Sequence, residues 1–202
     1  MQKREHAKAA SVPCAACKAA GVPCAVESQA TSLRTRRGQR FTFGRDGADA
    51  AFIVRSGVLM LEVGLPGGPR QIADLFFPGD LLRPCFLPPA TESALIAANS
   101  GELWRLRDAA LDKLAASDPA VGDYLDRAVA RRIARQAIHA LTLGQFDAEQ
   151  KVATLLTELA LRLGGPTAAG ALAFGMPFDR KEIAFYLGLN PDTLSRIMSR
   201  FK

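Results

Sequence analysis

At 202 residues with 49% hydrophobic side chains, the chain can build one large domain or two small ones with an ample core. A formal charge of +6 favours a polyanionic partner, and no apolar run is long enough to cross a bilayer. The opening Met-Gln-Lys-Arg-Glu-His leads into Ala, Cys, Pro and Gly rather than an apolar signal core. The expected location is therefore cytoplasmic, where four cysteines read as metal ligands or redox thiols rather than structural disulfides.

Residues 1–33 are poor in large apolar side chains and read as irregular structure around Cys14, Cys17 and Cys24. These thiols follow the pattern Cys-x2-Cys-x6-Cys, and Cys85 lies far away in the sequence. Thiolates are the usual iron–sulfur ligands, and four make a full set. The same residues leave other chemistry open. Zinc could be held tetrahedrally with His6 or Cys85 completing the site. Cys14 and Cys17 could form a dithiol redox pair, or the thiols could have no sensing role.

Residues 37–107 are expected to be β-rich. Residues 39–43 alternate, with Phe41 and Phe43 on one face. Residues 51–55 and 58–63 are apolar runs separated by the turn pair Ser56-Gly57. Residues 70–77 form another candidate strand, closed by Pro78-Gly79-Asp80, and 93–98 and 102–106 complete the set. Many short strands with Gly-rich turns predict a small antiparallel barrel or roll.

Asp118-Pro119 is a capped helix start. Val121, Leu125, Val129, Ile133, Ala137 and Leu141 then recur at spacing four, with Ala128 and Ile138 broadening the stripe. The spacing predicts a helix over 118–143 that pairs with its own copy through Val121, Leu125, Val129, Ile133 and Leu141. A helix packed on its own domain is the alternative. Arg127, Arg131, Arg132 and Arg135 are expected on the remaining surface, repelling across the seam, and His139 is expected to be packed or solvated. Gly144 is expected to end this helix. Asp147-Ala-Glu-Gln starts the next, burying Val152, Leu155, Leu156, Leu159 and Leu163, and a Gly/Ala-rich loop follows to Gly175.

Residues 178–201 read as a DNA-binding helix-turn-helix within a unit spanning 144–202. Ile183, Ala184 and Leu187 share one face of a first helix. Gly188 supplies the tight turn, and Leu189 plugs the core. Asn190 is the N-cap and Pro191 occupies the first helical turn. Leu194, Ile197 and Phe201 form a buried stripe. The opposite stripe carries Asp192, Thr193, Ser195, Arg196, Ser199 and Arg200, followed by Lys202. Such short, polar and basic side chains suit a helix entering the major groove. No Ser/His/Asp set, Gly-rich phosphate loop or paired-carboxylate motif is present, so the chain is not expected to be an enzyme.

In this order, these elements resemble the CRP/FNR family of bacterial transcription regulators. Phe52-Ile-Val-Arg-Ser-Gly-Val-Leu resembles a roll strand of the family, and Phe77-Pro-Gly-Asp-Leu-Leu its Gly-Asp strand start. Asp147-Ala-Glu-Gln-Lys-Val-Ala-Thr-Leu-Leu resembles the opening of its DNA-binding domain. Leu187-Gly-Leu-Asn-Pro-Asp-Thr-Leu-Ser-Arg resembles its recognition unit, and Ser195-Arg196 is similar to the FNR/FixK branch. The resemblance covers about residues 37–202. It implies an α+β fold: an antiparallel β-roll of the cyclic-nucleotide-binding jelly-roll type, a long dimerisation helix and a winged-helix-type helix-turn-helix. The expected sensor segment, roll, dimer helix and DNA-binding domain span 1–33, 34–117, 118–143 and 144–202. The chain ends before the β-wing that the family carries after its recognition helix.

The resemblance also implies a homodimer, RNA polymerase as a partner and a palindromic DNA site with TTGA-like half-sites. Ser195, Arg196 and Asp192 would reach base edges, and Arg200 and Lys202 would lie near phosphates. Asp192 stands where the family usually has glutamate. Members of the FNR branch hold an oxygen-labile 4Fe-4S cluster on a similar N-terminal trio plus one distant cysteine. That implies Cys14, Cys17, Cys24 and Cys85 as ligands, with the intact cluster favouring the DNA-binding dimer. Two positions depart from the family pattern: the last gap of the trio is six residues rather than five, and the family's fourth ligand aligns near Trp104. No cyclic nucleotide is expected. Gly101-Glu102 is followed by Leu-Trp-Arg-Leu-Arg, and no Arg-Ser or Arg-Thr pair lies between Gly79-Asp80 and Ser93.

Overall fold

The computed structural model describes residues 21–42, 50–68, 70–168 and 170–201. His6, Cys14, Cys17, Phe43 and Lys202 lie outside the described residues.

Two four-stranded antiparallel sheets form the roll. One has the order β1 (Thr31–Thr35), β8 (Gly101–Arg107), β3 (Ala50–Ser56), β6 (Leu81–Leu82). The other runs β2 (Arg40–Thr42), β7 (Glu92–Ala97), β4 (Leu59–Gly64), β5 (Arg70–Phe76). Successive side chains of a strand point to opposite faces. Phe52, Val54 and Leu103 therefore turn inward to meet Leu59, Leu61, Phe76 and Leu95 between the sheets. Ala51, Ile53, Trp104 and Leu106 point the other way. They pack with residues of α1 (Cys24–Glu27), α2 (Asp108–Ser117) and α3 (Pro119–Gln145). On the outer face of the second sheet, Met60, Ile72 and Leu75 share a core with α4 (Ala148–Leu163), α5 (Arg180–Leu187) and α6 (Pro191–Arg200). Both sheets are thus covered on both sides, which is why β3 and β4 read as apolar runs rather than as alternation.

Several elements depart from the sequence expectations. The segment expected to be irregular contains α1, and β1 crosses the expected boundary at residue 33. Helix α2 begins directly after the β-rich stretch ends at Arg107, burying Leu111 under the first sheet. Gly144 does not end α3, which continues to Gln145. The Gly/Ala-rich stretch contains a short hairpin of β9 (Gly165–Pro166) and β10 (Leu172–Ala173). Phe201 is exposed rather than part of the buried stripe.

The expected dimer seam splits. Residues spaced by four advance about 40° around an α-helix, so Val121 and Leu141 are separated by roughly half a turn. Val121 is fully buried in its own protomer, and Leu125 packs beside it with Tyr124 and Ala128. Val121 has no exposed surface and Leu125 keeps only 9% of its own. Val129 is half-buried, whereas Ile133 is 65% and Leu141 53% exposed. Together with Ala130, Ala134 and Ala137 they form an open apolar stripe facing away from the roll.

The arginines of α3 also divide. Arg127 and Arg131 are exposed, but Arg132 and Arg135 turn to the roll. Arg132 donates to Asp74 at 3.0 Å, and Arg135 bridges Asp74 and Asp80. A bulge in β5 opposite Leu61 and Glu62 leaves Ala73 out of the register, and its carbonyl accepts from Gln136. Arg162 of α4 completes the cluster, donating to both Asp80 oxygens at 2.9 Å. Arg132, Arg135 and Arg162 lie near the rings of Phe86, Phe76 and Phe77 at 5.0, 6.0 and 5.0 Å. Burial raises the Asp74 carboxyl above its usual range, and Arg135 and Arg132 oppose that rise.

Asp80 also accepts from the Phe77 backbone N–H at 3.0 Å, fixing the turn after β5. Its side chain is 8% exposed. Asp80→Ala leaves two guanidinium groups without their shared partner. It should lower unfolding free energy by about 3–5 kcal/mol in urea denaturation. A loss below about 1 kcal/mol would contradict the cluster's structural role.

Candidate nucleic-acid interface

Local chemistry sets the two helices of the C-terminal unit. Asp179 caps α5 through a reciprocal pair with Glu182: Asp179 Oδ1 accepts from Glu182 N–H at 2.8 Å, and Glu182 Oε2 accepts from Asp179 N–H at 2.7 Å. The helix ends at Gly188, whose φ of 61° and ψ of 37° lie in the left-handed region. A Cβ there would meet only Leu143 Cδ2, at 3.7 Å, so backbone conformation rather than space requires the glycine. Asn190 then caps α6, accepting from Asp192 N–H at 2.8 Å, and Pro191 occupies the first turn.

Ile183, Ala184, Leu187, Leu194 and Ile197 are buried where the helices cross. Leu189 is half-buried against the same core. The outward side of α6 presents Asp192, Thr193, Arg196, Ser199 and Arg200, with Ser195 half-buried at its edge. Thr193 and Arg196 line a shallow groove with Asp147 and Glu149 at the start of α4. Among the described residues Arg196 has no ion pair, which leaves its guanidinium free to reach a base edge. Arg200 is tied to Glu149 by a salt bridge, so reaching a phosphate requires it to exchange that partner. Ser199 Oγ donates to the Ser195 carbonyl at 2.9 Å and lies along the helix rather than projecting from it.

Sequence spacing gave no sign of how this unit is held. Arg37, in the turn between β1 and β2, donates to the Pro177 carbonyl at 2.6 Å and to the Ala98 carbonyl. It also contacts Glu182 at 2.9 Å and Asp179 at 3.5 Å. One roll arginine therefore grips the capping pair of α5. His139 of α3 stacks on Tyr186 of α5, with centroids 4.1 Å apart and planes 8° from parallel. Burial lowers the His139 pKa and raises that of Tyr186.

The two described cysteines lie at the other end of the roll. Cys24 opens α1 and is half-buried, whereas Cys85 is exposed in the 3-10 turn Pro84–Phe86. Cys24 and Phe86, the neighbour of Cys85, pack against the same apolar cluster, whose members include Val22, Val26 and Trp104. Trp104 itself is buried and has no ligating atom. No group of three metal-ligating side chains occurs among the described residues, which include two of the four cysteines.

The Crp-like helix-turn-helix domain family matches residues 150–202. A probable transcriptional activator of Rhizobium leguminosarum bv. viciae is 33% identical over 158 residues, covering 77% of this chain and 65% of that protein. The transcriptional activator protein FnrA of Stutzerimonas stutzeri is 30% identical over 171 residues, covering 83% of this chain and 68% of FnrA. The solved structure of FixK2 from Bradyrhizobium japonicum superimposes with a TM-score of 0.68 at 28% identity, covering 85% of this chain and 84% of that one.

Proposed function

Because this chain belongs to the CRP/FNR family of transcription regulators, in its FixK/FNR-like branch, we propose that it binds DNA sequence-specifically as a homodimer and senses redox state through its cysteines. The observation that carries the DNA reading is α6 itself: Leu194 and Ile197 anchor it while Asp192, Thr193, Ser195 and Arg196 line its outward side. Ser195, Arg196 and Asp192 reach base edges, and Arg200 and Lys202 serve phosphates. The target is a palindrome with TTGA-like half-sites, relaxed at the base opposite the shorter Asp192, and RNA polymerase is the partner in transcription. Residues 1–33 and the roll over 34–117 form the sensing part, α3 the pairing helix, and 144–202 the reading part. No helix is long and apolar enough to cross a membrane among the described residues.

The dimer forms through Ala130, Ile133, Ala134, Ala137 and Leu141, the side of α3 facing away from the roll. A 4Fe-4S cluster is the proposed sensor, held by Cys14, Cys17, Cys24 and Cys85. Such a cluster supplies an oxidation-labile centre when bound. The donor set fits it, being four thiols, and Cys24 and the segment bearing Cys85 border one apolar cluster. A cyclic nucleotide is not proposed. The space between the sheets is filled by Phe52, Leu61, Phe76, Leu95 and Leu103, and Glu102 is paired with Arg55 at 2.6 Å.

Three measurements test these readings. Arg196→Ala should weaken binding to the preferred palindrome by about 1–3 kcal/mol in fluorescence anisotropy, with little change on random DNA. Equal loss on both would remove Arg196 from base recognition. Ile133→Glu should turn dimer into monomer in sedimentation while the far-UV circular dichroism stays native, since the side chain is mostly exposed in the protomer; an intact dimer would overturn the pairing face. Anaerobic reconstitution with iron and sulfide should yield a brown protein that bleaches in air, and Cys85→Ser should abolish the colour. Colourless protein with stoichiometric zinc would overturn the cluster.

A further inference from the structure

A cavity of about 320 Å³ opens where α3, α4 and α5 meet. Its volume lies at the lower end of small-molecule sites. Leu155 and Leu187, both buried, form its floor, and Ile138 and Leu161, 57% and 73% exposed, stand at its mouth. The stacked His139 and Tyr186 contribute an aromatic wall. Glu158, Arg135 and Arg162 also line this space, and both guanidinium groups are engaged by Asp80.

The charges around the cavity are unevenly satisfied. Asp74, Asp80 and Glu158 face Arg132, Arg135 and Arg162, three acids against three bases. Arg132 is committed to Asp74, and Arg135 and Arg162 to Asp80. Glu158 makes no hydrogen bond or ion pair with any described residue. Burial pushes its carboxyl up, and the two nearest arginines oppose this only at a distance. A desolvated carboxylate gains most from a partner that brings its own positive charge.

We propose that this cavity binds a small organic ammonium ion with an apolar or aromatic body, Glu158 accepting its N–H groups while the leucine and aromatic walls enclose the body. The selection of a cation rests on hydrogen bonding rather than net charge, since both lining arginines are engaged by Asp80 while Glu158 has no ion pair among the described residues. An anion entering the same space would meet Glu158 directly, beside arginines already engaged by Asp80 and Asp74. The cavity lies between α3 and two helices of the DNA-binding unit. A ligand there that binds better to one placement of that unit changes DNA affinity, and DNA changes ligand affinity by the same factor. This inference goes beyond cysteine sensing, and its test requires neither cluster nor DNA.

The test is isothermal titration calorimetry on the full chain with three probes of matched body: phenethylammonium, 2-phenylethanol and 3-phenylpropanoate. Phenethylammonium should bind saturably and about tenfold or more tighter than either other probe, the scale of one charge-assisted hydrogen bond. Glu158→Gln should remove that advantage and leave 2-phenylethanol binding unchanged. Absence of saturable ammonium binding, equal affinity for the three probes, or an ammonium affinity unchanged in Glu158→Gln would overturn the proposal. If Glu158→Gln does not fold, the ranking of the three probes on the unaltered chain decides.

Discussion

The carboxylate of Asp80 is the point on which the arrangement of the parts depends. It closes the turn after β5, receives Arg135 from the long helix and Arg162 from the first helix of the DNA-binding unit. A buried carboxylate is tolerated only when its lost hydration is replaced by close, well-aligned donors. Three elements must therefore be positioned together for any one of them to be satisfied. Such a cluster contributes less net stability than its Coulomb attraction suggests, because each ion is also desolvated. What it imposes is placement: moving α4 away from the roll separates Arg162 from Asp80.

The roll beneath this cluster is a platform with two working faces. Trp104, Ile53 and Leu106 carry α1 and α2 on one sheet, and Met60, Ile72 and Leu75 carry the helix-turn-helix on the other. Cys24 and the recognition helix therefore lie on opposite outer faces, with α3 contributing to the first core and pairing through Arg135 with the turn after β5. The first core and the helix-turn-helix unit are thus joined through α3 and Asp80. The Tyr124 hydroxyl adds to that link by donating to the Gly79 carbonyl, next to Asp80.

The reading helix is held in two ways. Its Asn190 cap and the buried Leu194 and Ile197 set its shape, and Arg37 together with the His139–Tyr186 stack sets its place on the molecule through α5. Glu182 serves both purposes, capping α5 and receiving Arg37. The cavity bordered by Glu158 lies between these attachments, so its contents bear on the same placement.

The helix-turn-helix was legible in the sequence because its determinants are local. Gly188, Asn190, Pro191 and the Asp179 cap act on backbone groups within a few residues, and any chain with that spacing meets the same requirements. The apolar runs of β3 and β4 were legible for a related reason, though not that their two faces serve different cores. Spacing of four drifts around the helix, so the pattern on α3 could not show that its Val121 and Leu125 end is covered by the roll's own core. The roles of Arg132, Arg135 and Arg162 were not legible at all. Arg135 and Arg162 meet Asp80 from 55 and 82 residues away. Sequence by itself determined α3, α4 and the helix-turn-helix, whose caps, turns and hydrogen bonds close over short separations, together with the apolar runs of β3 and β4. Tertiary structure decided which arginines are buried, which face of α3 remains open and which carboxyl finds no partner among the described residues, because those depend on surfaces that exist only after distant segments have packed.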